Sequence, residues 1–226
     1  MKKRTKILLI VGGLLLVGAV ITVVVINNNW GSYESDITKG EIKDTIEFSN
    51  DEETAPPSLD ELEGKYIVDK TTGTAEILFH TKGLKSTKGG FKAFSIELNV
   101  PEDYKSSELI VKIKTKSIDT GNEMRDEHLL DAEFFHAEKF PEIIYKSSSV
   151  ELGDTSYIAK GELTLNGTTK SLDVPFIHLG AGGEGDAKFE AFEGAFSIDR
   201  TEYGQQESSG VGNIVNLNFY CELKPK

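Results

Sequence analysis

The chain has 226 residues, 25 Lys+Arg against 37 Asp+Glu for a net charge of −12, and one cysteine. That length holds one folded domain with appendages, or two small domains, and buries a sizeable core. The lone Cys221 excludes an intramolecular disulfide framework and a cysteine-based zinc cluster, and the acidic balance argues against nucleic acid, whose binding needs clustered positive charge.

Lys2, Lys3, Arg4 and Lys6 make residues 1–6 a basic stub. Residues 7–26 follow as an apolar run whose only polar member is Thr22, a helical length that matches a bilayer's hydrocarbon core. The next basic residue is Lys39, so the positive-inside bias keeps the N-terminus cytoplasmic and the rest of the chain extracytoplasmic, in a periplasm or at a cell surface. Trp30 and Tyr33 sit where an interfacial anchor would. A cleaved signal peptide fits less well, because the run is long and ends Val-Val-Val-Ile-Asn-Asn-Asn without an Ala-x-Ala site. The expected organisation is a stub (1–6), a transmembrane signal anchor (7–26), an acidic stalk (27–64) and a folded domain (65–226). Residues 27–63 hold eleven acids against Lys39 and Lys43, a composition with too little apolar surface to offset its ordering entropy.

From Tyr66 the pattern turns to period two. Ala75, Ile77 and Phe79 alternate with polar neighbours, as do Phe94, Ile96, Leu98 and Val100, then Leu109, Val111 and Ile113. Tyr157 to Leu165 leads into Asn166-Gly167, and Leu172, Val174 and Phe176 follow; Asn-Gly between two alternating runs signals a type I′ hairpin. Phe192, Phe196 and Ile198, and then Val215, Leu217, Phe219, Cys221 and Leu223, complete about eight strands, the mark of an antiparallel sandwich or barrel. One stretch departs from this. Thr120 and Glu123 have capping-box spacing, so residues 121–130 are expected as a short helix, with a second turn from Asp131 to Phe135 before Pro141.

Candidate chemistry is sparse. Arg125-Asp126-Glu127-His128 invites suspicion, yet neighbours at i, i+1 and i+2 diverge around a helix, and the plainer expectation is an ion pair fixing the helix to the wall. His80, His136 and His178 are scattered without a His-x-x-x-His spacing, so no metal or other cofactor is expected. Gly-x-Ser-x-Gly is absent, and Cys221 alternates with Leu217, Phe219 and Leu223 as a small buried hydrophobe would. Residues 180–185 are glycine-rich, but Glu184 sits among them and no helix follows, which is wrong for a phosphate cradle. The inward face remains. Phe79, Phe94, Ile96, Leu98, Val111, Ile113, Leu163, Leu165, Val174, Phe176, Phe196, Leu217 and Phe219 either fill a core or line a tunnel, since an eight-stranded barrel is just wide enough for one slender ligand.

Over residues 66 to 223 the chain resembles the YceI-like proteins. The resemblance is carried by Tyr66-x-x-Asp69, Gly89-x-Phe91-x-x-Phe94, and Ser117-Ile118-Asp119-Thr120-Gly121-Asn122-x-Met124-Arg125-Asp126-x-His128-Leu129. Phe134-Phe135, Phe140-Pro141-x-Ile143, Gly161-x-Leu163-Thr164-Leu165-x-Gly167 and Ile198-x-Arg200-x-x-Tyr203-Gly204 follow in order. It implies a mainly β fold, an eight-stranded antiparallel lipocalin-like barrel with one or two short helices near one mouth. The apolar tunnel of such a barrel would hold a polyisoprenoid or similar long-chain lipid. The thirteen inward residues then become tunnel wall, and Arg125, Asp126, His128 and Arg200 become motif positions at the rim, with no catalytic role carried over. Three departures stand out: Thr72-Gly73 where His-Ser is common, Thr81 in place of a strand-end His with His80 one place off, and Gly212-Asn213 where an acid is usual. The expected partners are the lipid and, through the N-terminal segment, a membrane; nothing in the sequence excludes a homodimer. Two other readings stand beside this one: a hydrolase-like enzyme on a hydrophobic substrate using Asp126 and His128, and a ligand-free structural or interaction module with a solid core.

Overall fold

The computed structural model describes residues 57–68, 74–84, 86–154, 156–208 and 210–226. Residues 1–56, with the expected basic stub, anchor and most of the stalk, lie outside the described residues, as does Thr72-Gly73. Among the described residues no helix is long and apolar enough to cross a membrane.

Eleven strands form one antiparallel sheet: β1 (Gly64–Val68), β2 (Ala75–Lys82), β3 (Ser86–Phe91), β4 (Phe94–Val100), β5 (Glu108–Lys114), β6 (Ile118–Asp119), β7 (Glu142–Leu152), β8 (Tyr157–Leu165), β9 (Thr168–Gly182), β10 (Phe189–Asp199) and β11 (Ile214–Pro225). Eight of them, in the order β1-β4-β5-β7-β8-β9-β10-β11, close on themselves where β1 meets β11 through Tyr66↔Pro225 and Val68↔Leu223. β11 is long enough to serve two neighbours. Its C-terminal end pairs with β1, and its stretch from Val215 to Cys221 pairs with β2, which continues the wall through β3 and β6. Closure leaves no long open edge in the ring.

β7 belongs to the ring, although no strand was expected there. Its alternation of Ile143, Tyr145, Ser147 and Val150 is interrupted by a bulge between Ser147 and Ser149, which hides the period of two within a serine run. β3 is equally unobtrusive, reading Ser-Thr-Lys-Gly-Gly-Phe, because a Cβ at Gly89 would lie 2.6 Å from the Phe79 ring and from the Asp119 carbonyl. The Asn166-Gly167 hairpin forms as expected, with φ of 51° and 74° at the two turn residues.

The only α-helix among the described residues is α1 (Glu123–Leu129), and its cap differs from the expected one. Asn122 accepts the Arg125 backbone N–H at 3.0 Å, whereas Thr120 is engaged elsewhere. Residues 131–135 form hydrogen-bonded turns rather than a second helix, with Phe134 N and His136 N both donating to the Asp131 carbonyl. Residues 57–64, expected in the stalk, belong to the barrel: Leu59 and Leu62 are buried, and Leu59 N donates to the Tyr157 hydroxyl. They close the end where β4, β7 and β10 place Val100, Leu152 and Phe189, hereafter the floor. The opposite end, beneath α1 and residues 200–213, is the mouth.

Candidate ligand-binding site

Strand parity sends one face of every ring strand inward, and those faces enclose a cavity of ≈ 490 Å³ with almost wholly apolar walls. This volume falls in the range of ligand pockets. The packing shows hollowness independently. Leu109, Val111, Leu172, Phe196, Leu217 and Phe219 all point inward yet are only partly buried, because their side chains face open lumen instead of one another. Phe219 keeps close to the wall because its cross-strand partner is Gly194, where a Cβ would lie 2.5 Å from the ring.

Twelve of the thirteen residues expected on the tunnel wall line this cavity. Phe94 does not; it is buried in the core cluster near the β3–β4 corner and does not reach the lumen. Tyr145, Phe134, Phe135, Phe91, Phe192 and Cys221 are wall residues that were not among the thirteen. Tyr145 sits on the bulged strand, and its hydroxyl donates to the Ala159 and Leu172 carbonyls at 2.8 and 3.2 Å, so its polar end is spent on the wall and its ring is left to the lumen. Burial raises its pKa and pushes that of the Cys221 thiol up to about 12. Phe91 meets Phe79 at 5.7 Å and Phe135 edge-on at 6.1 Å, which fastens the turn after α1 to the β2–β3 side of the mouth.

The four rim residues divide. Arg125, His128 and Arg200 line the cavity, and Asp126 does not. Instead of an ion pair to the wall, Arg125 and Asp126 both grip Thr120. Arg125 Nε donates to Thr120 Oγ1 at 2.7 Å and Nη2 to its carbonyl at 2.8 Å, while Asp126 Oδ1 accepts the Thr120 backbone N–H at 3.0 Å. His128 lies between Asp131 (3.3 Å) and Glu133 (3.1 Å) and edge-on to Phe134. Arg200 is 3% exposed, lies over the Phe134 ring, and donates to the carbonyls of Gly212, Gln206 and Val211 at 3.0, 2.6 and 3.1 Å. Burial lowers its pKa, against the opposing charges of Asp199 and Glu207. It thereby holds Gln206, Val211 and Gly212 at the mouth. Of the strand-end pair, Thr81 faces the lumen and its hydroxyl donates to the Gly212 and Ile214 carbonyls, whereas His80 points away and meets Ser86 Oγ at 2.7 Å.

The floor is closed by polar contacts as well as by Leu59 and Leu62. His178 is buried against Phe192, with Nε2 2.8 Å from Glu190 and Nδ1 3.3 Å from the Pro57 carbonyl. Tyr157 donates to that same carbonyl at 3.3 Å. The result is a cup: apolar sides, a sealed floor and a rim where every charged wall residue sits.

The fold is thus a mainly β, eight-stranded antiparallel barrel closed around a hollow apolar lumen. Residues 66–223 match the model of the YceI-like domain, and the chain belongs to that family. A UPF0312 protein of Pseudomonas fluorescens is 32% identical over 172 residues, covering 70% of this chain and 85% of the relative. One from Vibrio cholerae is 28% identical over 162 residues with the same coverage. Among solved structures, Burkholderia cenocepacia BcnA superposes with a TM-score of 0.59 at 23% identity, covering 69% of this chain and 98% of its own. A polyisoprenoid binding domain from Saccharophagus degradans does so with a TM-score of 0.54 at 14% identity, covering 71% and 98%. At these identities the structural matches establish the shared fold.

Proposed function

We propose that this protein is a membrane-tethered, extracytoplasmic binding protein that holds a polyisoprenoid or similar long apolar lipid in its barrel. The ≈ 490 Å³ lumen carries this reading, because its wall offers an extended chain many apolar contacts and its charged groups stand only at the rim. Each methylene moved from water into such a wall contributes about 0.8 kcal/mol. The solved relative described as a polyisoprenoid binding domain supports the choice of ligand class. The apolar run at 7–26 behind four basic residues supports the tether and the extracytoplasmic placement. The enzyme reading draws no support from geometry, since Asp126 is outside the cavity and bound to Thr120 while His128 lies between two carboxylates.

The test fills the lumen. Val111 faces the open lumen midway along β5, and Val111→Trp places an indole where the lipid chain would run. The full chain in detergent is expected to retain a labelled long-chain polyprenol at about 1:1, and the variant to lose at least tenfold in affinity with an unchanged unfolding midpoint. Equal retention by both chains contradicts luminal binding.

A further inference from the structure

Few polar side chains line the apolar lumen, and most of them are occupied by the chain itself. Thr81 donates to the Gly212 and Ile214 carbonyls, Arg200 to three carbonyls and Arg125 to Thr120. His128 lies between Asp131 and Glu133, and Ser208 Oγ accepts the Gly210 N–H. Gln205 is different. It lines the lumen and is 6% exposed, yet its side-chain amide has no hydrogen-bond partner among the described residues. Thr87 resembles it in part. It is half-buried and pairs with Thr81 across β2 and β3, which puts both side chains on the luminal face, and its hydroxyl too has no partner among the described residues. Asn218 sits between the inward Leu217 and Phe219, so strand parity turns its side chain outward.

The backbone on both sides of Gln205 is held. Gly204 N donates to the Thr201 carbonyl at 3.1 Å, and Gln206 N to the Glu133 carbonyl at 2.9 Å. The Gln206 carbonyl in turn accepts from Arg200 Nη1 at 2.6 Å. The amide is therefore fixed at the mouth, and a buried amide without a partner forfeits the hydrogen bonds that water would give it. A ligand head that supplies them recovers that loss. An amide offers a carbonyl acceptor and two N–H donors without charge, which suits the oxygen of an alcohol, a phenol or a carbonyl. A phosphate head calls instead for uncommitted cations. Arg200 has committed all three guanidinium nitrogens and Arg125 has committed Nε and Nη2, while His128 is flanked by carboxylates. Lys82 and Lys88 share the outer face of the β2–β3 hairpin with His80. We propose that Gln205, assisted by Thr87, forms a headgroup subsite that selects long apolar chains ending in an uncharged hydroxyl or carbonyl oxygen. This rests on the lipid-binding reading above, and it adds what the head of the lipid must be.

The test uses the full chain in detergent with labelled probes of equal chain length: a polyprenol, the hydrocarbon lacking its hydroxyl, and the polyprenyl phosphate. The wild type is expected to hold the polyprenol about tenfold more tightly than either of the others. Gln205→Leu keeps the bulk and removes the amide, and should bring polyprenol and hydrocarbon to within about twofold of each other; Thr87→Val should narrow the gap by a smaller factor. A gap that survives Gln205→Leu, or a phosphate held more tightly than the alcohol, overturns the proposal. So does an equal loss of polyprenol and hydrocarbon in Gln205→Leu, because a merely structural role weakens both alike. A second readout needs neither a variant nor a long chain. In the nitrogen–proton NMR spectrum of the wild type, farnesol is expected to shift the Gln205 side-chain amide, and the farnesol skeleton without its hydroxyl is expected to leave it in place. Equal responses to the two overturn the subsite. If no long-chain probe is retained while farnesol still moves that amide, the long-chain reading above has failed and the headgroup subsite stands.

Discussion

Arg200 donates from all three guanidinium nitrogens to backbone carbonyls, an arrangement only a planar fork of donors satisfies. From sequence it was legible as a motif position at the rim, and its work as an internal brace was not, since nothing local marks Gly212, Gln206 and Val211 as its partners. Arg200→Met should leave three acceptors without their donor and lower unfolding free energy by about 3 kcal/mol or more, read by denaturant titration. Arg200→Lys should recover little of that, because one ammonium cannot reach three divergent carbonyls. Cys221 was legible as a buried residue from its alternation with leucines and phenylalanine. Its thiol, pushed up to about 12 by burial, should resist iodoacetamide at pH 8 in the folded protein and react only on unfolding. Prompt labelling of the native chain would contradict the packed wall. Asp126 was less legible: its place in the sequence grouped it with Arg125 and His128, but the helix turns it away from the lumen toward Thr120.

At the scale of elements, strands with clean alternation announced themselves, and those that had to bend or thin did not. β7 is disguised by its bulge, which aims Tyr145 and Val150 into the lumen on either side of a register shift. β3 is disguised by the glycines that allow Phe79 and Asp119 to approach. The floor was hidden for a different reason. Residues 57–63 share the acidic composition of the stalk, and only the placement of Leu59 and Leu62 against the barrel distinguishes them. Leu59 is 2% exposed, so Leu59→Ala should cost about 2–5 kcal/mol by thermal or denaturant unfolding, the loss expected for a fully buried leucine. A cost below about 0.5 kcal/mol would show that this segment is merely laid against the floor.

Across the whole molecule, the barrel was legible because hydrophobic parity, an Asn-Gly hairpin and an ordered series of motifs agree on it. Whether that barrel is solid or hollow was not. The same phenylalanines, leucines and valines serve either outcome, and the difference lies in the distance across the ring, which is set by strand number and tilt and not by any one residue. Half-buried inward residues such as Val111, Leu172 and Phe196 mark the hollow outcome. The cup also has polarity along its axis. The chain enters the described fold at the floor, and the charged wall residues stand at the mouth. Native mass spectrometry of the full chain, isolated in mild detergent from its native source, tests the central claim most directly. The account predicts a 1:1 adduct whose mass and solvent extract match a long-chain isoprenoid lipid and which Val111→Trp abolishes. A bare chain mass from wild type, with no apolar lipid in the extract, would contradict it.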